Sequence, residues 1–130
     1  MVSMGNIRNE SGFTLTSVLI GMIVLSIGLL GAAKLVVIVF NSNAFSQHLT
    51  TATTLAQDKI AVVQRLGYAN ADNTAGTEPY GTIANYGNYK RVTSVSPNTP
   101  AAGIKTVTVV VSWQSRSQTH SVTLPTLFAQ

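Results

Sequence analysis

The sequence predicts an α+β protein in which a long N-terminal helix packs on a small antiparallel β-sheet. Three patterns support this prediction. Residues 13–40 form an apolar run, residues 44–67 repeat apolar side chains at intervals of three and four, and residues 89–124 alternate apolar and polar side chains. The first half of the helix is predicted to span a membrane, and the sheet to form a water-soluble head.

The apolar run is long enough to cross a bilayer. From Phe13 to Ala33, 21 residues carry no charge, and after Lys34 the apolar character resumes through Phe40. As an α-helix these residues span roughly 31 Å, about the thickness of the hydrocarbon core. A cleaved secretory signal usually has a shorter apolar core. Residues 31–33 nevertheless offer a signal cleavage site, which leaves a conventionally secreted periplasmic protein that begins at Lys34 as an alternative.

The composition argues against several classes of function. Charged residues make up 9% of the chain, and the net charge of +4 comes from scattered basic side chains. The absence of cysteine excludes disulfides and thiolate metal sites. His48 is expected to face solvent or a neighbouring subunit, and His120 to lie on the sheet surface. No catalytic, metal-binding or phosphate-binding motif is found, so neither an enzyme, a metal nor a cofactor is expected.

The boundary between the polar N-terminus and the apolar run carries a recognisable motif. Residues 12–15 read Gly-Phe-Thr-Leu, and residues 28–31 read Gly-Leu-Leu-Gly. They resemble the start of the type IV pilin and pseudopilin family. The resemblance implies that residues 1–12 are a leader that a prepilin peptidase removes after Gly12, and that Phe13 becomes a methylated N-terminus. It also implies that residues 13–40 anchor the subunit in the inner membrane and later form the filament core.

One residue departs from the family pattern. The family usually has a glutamate as the fifth mature residue, where it neutralises the N-terminal amine of an adjacent subunit, and this chain has Ser17. Serine offers a hydrogen bond but no charge, and an uncompensated charge at membrane depth is costly. Ser17 therefore indicates a rare subunit at or near a filament tip, or a serine bonded to the preceding turn. The predicted assembly positions are Phe13, Leu15, Ser17 and three glycines that favour close helix approach, Gly21, Gly28 and Gly31.

Residues 41–68 are predicted to continue the helix with one narrow apolar face that packs on the head. The polar triplet 41–43 allows a kink, and Gly67 is predicted to end the helix after Leu66. The apolar face comprises Phe45, Leu49, Ala52, Ala56, Ile60 and Val63.

Residues 69–130 are predicted to form the β head. The stretch 69–88 is rich in Gly, Asn and Thr and is predicted to be a loop. Three strands follow at 89–96, 104–113 and 118–124, the last two joined by a hairpin connection at 114–117. Pro125 is expected to stop the last strand or to place it at a sheet edge.

The end of the chain strengthens the resemblance. Residues 105–113 read Lys-Thr-Val-Thr-Val-Val-Val-Ser-Trp and residues 119–124 read Thr-His-Ser-Val-Thr-Leu. Both resemble the C-terminal end of minor pilins of the type IV pilus modification class V. This implies a structural subunit, a minor pilin or pseudopilin, with its head in the periplasm before assembly into a pilus or secretion pseudopilus. The implied partners are other pilin subunits, prepilin peptidase, the inner membrane and the assembly platform.

Two binding roles are weaker alternatives. Lys90, Arg91, Lys105 and Arg116 would form a basic contact edge if the strands align them, as in a DNA-binding uptake module, although scattered charge makes nucleic acid the less favoured partner. The tyrosines at 68, 80, 86 and 89 surround the predicted loop. Their pattern favours turn packing over a carbohydrate or partner contact.

Overall fold

The computed structural model describes the backbone of residues 10–130 and the side chains of residues 14–130. The predicted leader therefore lies largely outside the described residues, as does the side chain of Phe13. Contacts divide the chain after Asn43 into two units. The architecture is α+β and pilin-like, as predicted. The elements are helix α1 (Glu10–Asn70), a short 3-10 helix (Ala71–Thr74), and strands β1 (Gly76–Glu78), β2 (Tyr89–Pro97), β3 (Ile104–Ser115) and β4 (Gln118–Ala129).

Helix α1 is assigned as helix through the polar triplet 41–43, and the non-helical backbone angles inside it are at Gly67. In the first unit, every side chain from Thr14 to Phe40 is exposed. The hydroxyl of Ser26 donates to the carbonyl of Met22 at 2.8 Å, which satisfies one of the few polar side chains of this segment within its own helix.

The core of the second unit lies between the C-terminal part of α1 and one face of the sheet. The alternation predicted for β3 is confirmed, because its odd-numbered residues from 107 to 113 are buried and its even-numbered ones are partly exposed. Alanines on the helix allow the sheet to approach closely, and Leu55, absent from the predicted face, is also buried. The buried apolar side chains are Ala52, Leu55, Ala56, Val63, Ala71, Tyr89, Val107, Val109, Val111 and Trp113.

The sheet is an antiparallel meander with strand order β1-β2-β3-β4. Its register places Tyr89 opposite Trp113 and Ser115 opposite Gln118. The β3–β4 connection is shorter than predicted, because the turn uses only Arg116 and Ser117. Their φ angles are +50° and +65°. Two positive φ values are typical of the type I′ turn, whose twist matches that of paired strands.

Two predictions about the head are corrected by the structure. The predicted loop 69–88 contains the 3-10 helix and β1, a strand of three residues that has no apolar alternation to reveal it. Strand β4 does not stop at Pro125 but continues to Ala129. Pro125 lies on β4, the edge strand of the sheet, and pairs with Thr108 of β3. The alternative prediction, that Pro125 places its strand at a sheet edge, is therefore the one that holds. Proline is tolerated there because its missing N–H faces away from the ladder.

Gly67 breaks α1 at the predicted position but does not end it, contrary to the sequence prediction. Its backbone angles are φ +76° and ψ +174°, and the helical assignment resumes for three residues before the 3-10 helix begins. A Cβ atom added at this position would meet no atom within 4 Å. The requirement for glycine is therefore conformational rather than steric.

We expect Gly67→Ala to lower the free energy of unfolding by about 1 kcal/mol, because an L-residue is strained at this φ. The measurement is denaturant unfolding of the full chain in micelles, followed by the fluorescence of the single tryptophan, Trp113. The matched control is Gln64→Ala, at an exposed position of the same helix. Equal stability of the Gly67→Ala variant and the wild type would contradict the assignment.

Candidate functional site

The described part of the first unit presents apolar side chains around its whole circumference. Leu30 and Phe40 are each 69% exposed. The most apolar stretch of the helix has a mean hydropathy of 2.6 and no buried residue, so among the described residues α1 is long and apolar enough to cross a membrane. A helix that is apolar on all sides requires a surrounding of lipid or of other apolar helices. This surface, Leu15 to Phe40, is called the assembly helix below.

Four of the predicted assembly positions of this helix share one side. At about 100° per residue, Gly21, Gly28 and Gly31 fall within an arc of roughly 80°, and Ser17 lies inside the same arc. Nothing stands within 4 Å of a Cβ added at any of the three glycines. Leu15, about 120° from Gly21, lies outside this arc and is 68% exposed. The side chain of Phe13 lies outside the described residues, and the assembly roles remain predictions.

In the second unit, Arg91 ties three elements together. Its Nε donates to Oε2 of Glu78 at 2.6 Å and its Nη2 to Oε1 at 2.7 Å, a bidentate pair between β2 and β1. Its Nη1 donates to the carbonyl of Leu55 on α1 at 3.0 Å. Lys59 of the helix reaches the same carboxylate, with its Nζ 3.4 Å from Oε2. Planar two-point geometry of this kind is stronger than a single exposed contact.

The charge of Glu78 is stabilised by this arrangement. The hydrogen bonds from the Arg91 guanidinium hold the pKa of the Glu78 carboxyl below its ordinary value, and they outweigh the opposing effect of partial burial. The positive charges of Arg91 and Lys59 add to the lowering of this pKa. Sequence reasoning missed Glu78, because an isolated glutamate in a predicted loop carries no signal of its partner.

Lys105 forms a second connection, at the opposite end of the sheet from Trp113. Its Nζ donates to the carbonyl of Tyr68 at 2.9 Å and to Oδ2 of Asp72 at 2.7 Å. The ammonium also lies 4.4 Å from the centroid of the Tyr68 ring. Only 8% of the Lys105 side chain is exposed, so these partners replace the lost hydration of the ammonium. The contacts hold the segment that follows Gly67 against β3.

The structure does not bring the four residues of the predicted basic edge together. Arg91 and Lys105 lie on the helix-facing side of the sheet, in register with Val111 and Pro97, and each is paired with a carboxylate. Lys90, next to Arg91 in β2, lies on the opposite side of the sheet, and Arg116 lies in the β3–β4 turn. Nucleic-acid surfaces collect basic side chains on one face. The described residues therefore supply no continuous basic surface for DNA.

Both histidines differ from their predicted settings, because the rings of both stack with that of Trp113. The ring of His48 stacks at 6.3 Å and that of His120 at 5.5 Å, measured between centroids. His48 Nδ1 lies 2.7 Å from the hydroxyl of Tyr89, which makes a hydrogen bond between the helix and β2. Phe45 completes the cluster with an edge contact to His120 at 5.3 Å. These rings close the Trp113 end of the core.

The described residues show no arrangement that would hold a metal. Within them, no group of three or more His, Cys, Asp or Glu side chains converges on a common point. The ionic contacts found among these residues join elements of the head to one another. The geometry supports packing and anchoring as the chemistry of this molecule.

Comparison with known proteins adds one match. Residues 7–33 match the model of the prokaryotic N-terminal methylation motif. This motif is typical of type IV pilins and pseudopilins. The chain is a type IV pilin-like protein. No curated protein and no solved structure matches it. The matched segment includes the predicted cleavage position and most of the assembly helix.

The motif and the helix together define the class and location of this pilin-like protein. Its role is structural rather than catalytic. It resides in the inner membrane before assembly and in the pilus afterwards. The match ends before the head begins, so the motif does not distinguish a minor pilin from a pseudopilin.

We expect Glu78→Gln to destabilise the head of the pilin-like protein by about 1 kcal/mol at pH 7, after discounting for the solvent screening of a carboxylate that is 36% exposed. Because the folded-state pKa of Glu78 is lowered, its stabilising effect is present above the ordinary value of 4.5 and is lost as the pH falls through the folded-state pKa. The difference between wild type and variant should therefore shrink in acid.

The measurement is denaturant unfolding of both proteins between about pH 7 and pH 3, followed by Trp113 fluorescence. Asp58→Asn serves as the control, because Asp58 is an exposed carboxylate of α1 outside the Arg91 contacts. A difference between wild type and Glu78→Gln that is constant with pH would refute the role of this charge.

Proposed function

We propose that the chain is a minor pilin or pseudopilin, a subunit of a type IV pilus or of a related secretion pseudopilus. In this proposal prepilin peptidase cuts after Gly12 and Phe13 is methylated, and the subunit then assembles through its helix with other pilin subunits. The observation that carries the proposal is an apolar helix, exposed on every side, whose first part lies within the match to the methylation motif. Residues 1–12 would be the leader, 13–40 the membrane and filament segment, 41–68 the connecting helix and 69–130 the head.

The energetics of the assembly helix support a function in packing. Seventeen large apolar side chains between Leu15 and Phe40 are more than half exposed. Each costs roughly 1.5–3 kcal/mol when moved from an apolar surrounding into water, so exposure of the whole surface to water would cost tens of kcal/mol. Exchange of lipid for the apolar helices of neighbouring subunits largely avoids this cost. An assembly platform that passes the helix directly from membrane to filament would therefore face only a small hydrophobic barrier.

Two features favour a minor subunit over a major one. Ser17 supplies no carboxylate for the N-terminal amine of an adjacent subunit, so repeated incorporation would leave that charge uncompensated in an apolar core. The final two strands also resemble those of minor pilins of the modification class V in sequence. Both features fit a subunit that is present in few copies, at or near a filament tip.

The processing step is tested by the intact mass and the N-terminal peptide mass of protein extracted from membranes. We expect a mature chain that begins at Phe13 and is heavier by one methyl group. Gly12→Trp should abolish this processing and piliation, because the peptidase needs a small residue before the cut. Gly5→Trp, the same change within the leader but away from the cut, should be processed normally. A mature chain that begins at Lys34, or normal maturation of Gly12→Trp, would refute the proposal.

The role of Ser17 is tested by the copy number of the subunit in purified filaments. We expect Ser17→Glu to raise that number by at least about fivefold, because a carboxylate compensates a neighbouring amine whose burial costs about 2.5–3.5 kcal/mol. Quantitative mass spectrometry of the filaments, relative to the major subunit, gives the ratio. Ser17→Ala should leave the copy number unchanged, since it adds no charge. An unchanged copy number for Ser17→Glu would remove the argument for a rare subunit.

A further inference from the structure

We propose that a cavity at the Trp113 end of the head binds one neutral sugar ring of a saccharide, a binding activity separate from filament assembly. The cavity has a volume of about 330 Å³ and is lined by Tyr80, Gly87, Asn88 and Gln114. This volume lies at the lower end of the range for small-molecule sites, which suits a single ring better than an extended chain.

The sheet register brings two amide side chains together in this cavity. Tyr89 pairs with Trp113 at the end of the β2–β3 ladder. Asn88 comes one residue before Tyr89 and Gln114 one residue after Trp113, so the register, continued by one residue, sets the two amides against each other, and both line the cavity. Residues at facing positions of antiparallel strands have Cβ atoms about 4.5–5.5 Å apart. Two amides at this spacing can both reach one small ligand.

The loop that carries Tyr80 is held in place by its own backbone. The N–H of Gly81 donates to the carbonyl of Gly87 at 2.9 Å. The N–H of Tyr86 donates to the carbonyl of Ile83 at 3.0 Å. Gly87 adds no side chain to the cavity, and its backbone lies close to Gly81, whose Cα would be 3.7 Å from a Cβ at position 87. The cavity is thus formed before any ligand arrives, which reduces the entropy lost on binding.

The lining groups have the chemistry that a neutral sugar requires. The amides of Asn88 and Gln114 take part in none of the hydrogen bonds among residues 14–130. Each amide offers both a donor and an acceptor, and neighbouring sugar hydroxyls offer the same pair. The ring of Tyr80 is 40% exposed and provides an apolar surface for the C–H face of the sugar. No lining side chain is charged, so an anionic ligand would have no counter-charge in the cavity.

The test uses the full chain in phosphocholine micelles, because glycoside detergents would compete for the cavity. Saturation-transfer NMR is performed with glucose, galactose, mannose and N-acetylglucosamine. We expect at least one sugar to bind with a dissociation constant on the order of 1 mM, as is usual for so few contact atoms. Its affinity should be the same at about 50 and 500 mM salt, because no charge takes part.

Two variants locate the binding. Tyr80→Ala and Gln114→Ala should each weaken the affinity by at least about fivefold, by loss of the ring contact or of the amide bonds. The matched controls are Tyr86→Ala, whose ring is 42% exposed in the same loop but outside the cavity, and Gln118→Ala on the edge strand. Both controls should retain binding, and Trp113 fluorescence confirms that each variant is folded.

Several results would overturn the proposal. The first is that the folded wild type binds none of the four sugars. The others are equal losses of affinity in the variants and the controls, and an affinity that falls steeply with salt. Processing after Gly12 is measured by mass in the same samples, so a failure of sugar binding is distinguishable from a failure of the pilin assignment.

Discussion

The packing of Ala52, Ala56 and Val63 of the helix on the valine face of β3 positions the rest of the head. These side chains are fully buried, and so are the valines opposite them. Because the alanines are small, the helix backbone comes close enough to the sheet for polar side chains to bridge the two. Arg91 reaches the carbonyl of Leu55 from β2, and Lys105 reaches that of Tyr68 from β3. Each bridge carries its own carboxylate, so the charges of Arg91 and Lys105 are compensated within the head.

The two units of the chain differ in where their apolar side chains lie. The head buries its apolar residues within one small domain, whereas the assembly helix leaves seventeen large apolar side chains without a protein partner in the monomer. Such a surface is tolerable only in lipid or among similar helices. The methylation motif at its start indicates the route from the first surrounding to the second. The subunit is therefore stable in two surroundings, a membrane and a filament.

Several features of the head were beyond prediction because they depend on residues that are distant in sequence. Strand β1 has three residues without alternation, and it is a strand because Glu78 lies opposite Arg91 and pairs with it. The predicted basic edge does not form for the same reason. Arg91 and Lys105 each pair with a carboxylate, and these carboxylates lie 13 and 33 residues away in the sequence. The two histidines lie at the Trp113 end of the core because the rings of both stack with that of Trp113. The cavity beside Gln114 arises only where the loop returns against the sheet end.

The sequence alone determined the properties that are local or periodic: the apolar run with its methylation motif, the helix break at Gly67, the three longer strands and the buried face of β3. Each depends on a repeat or on a residue type that can be read within a short window, such as glycine at a positive φ. The tertiary structure decided which polar side chains pair with one another, where β4 ends and where the head forms its cavity. Those outcomes follow from the strand register and from the distance between helix and sheet, which are set by the packing of the whole core rather than by any one segment.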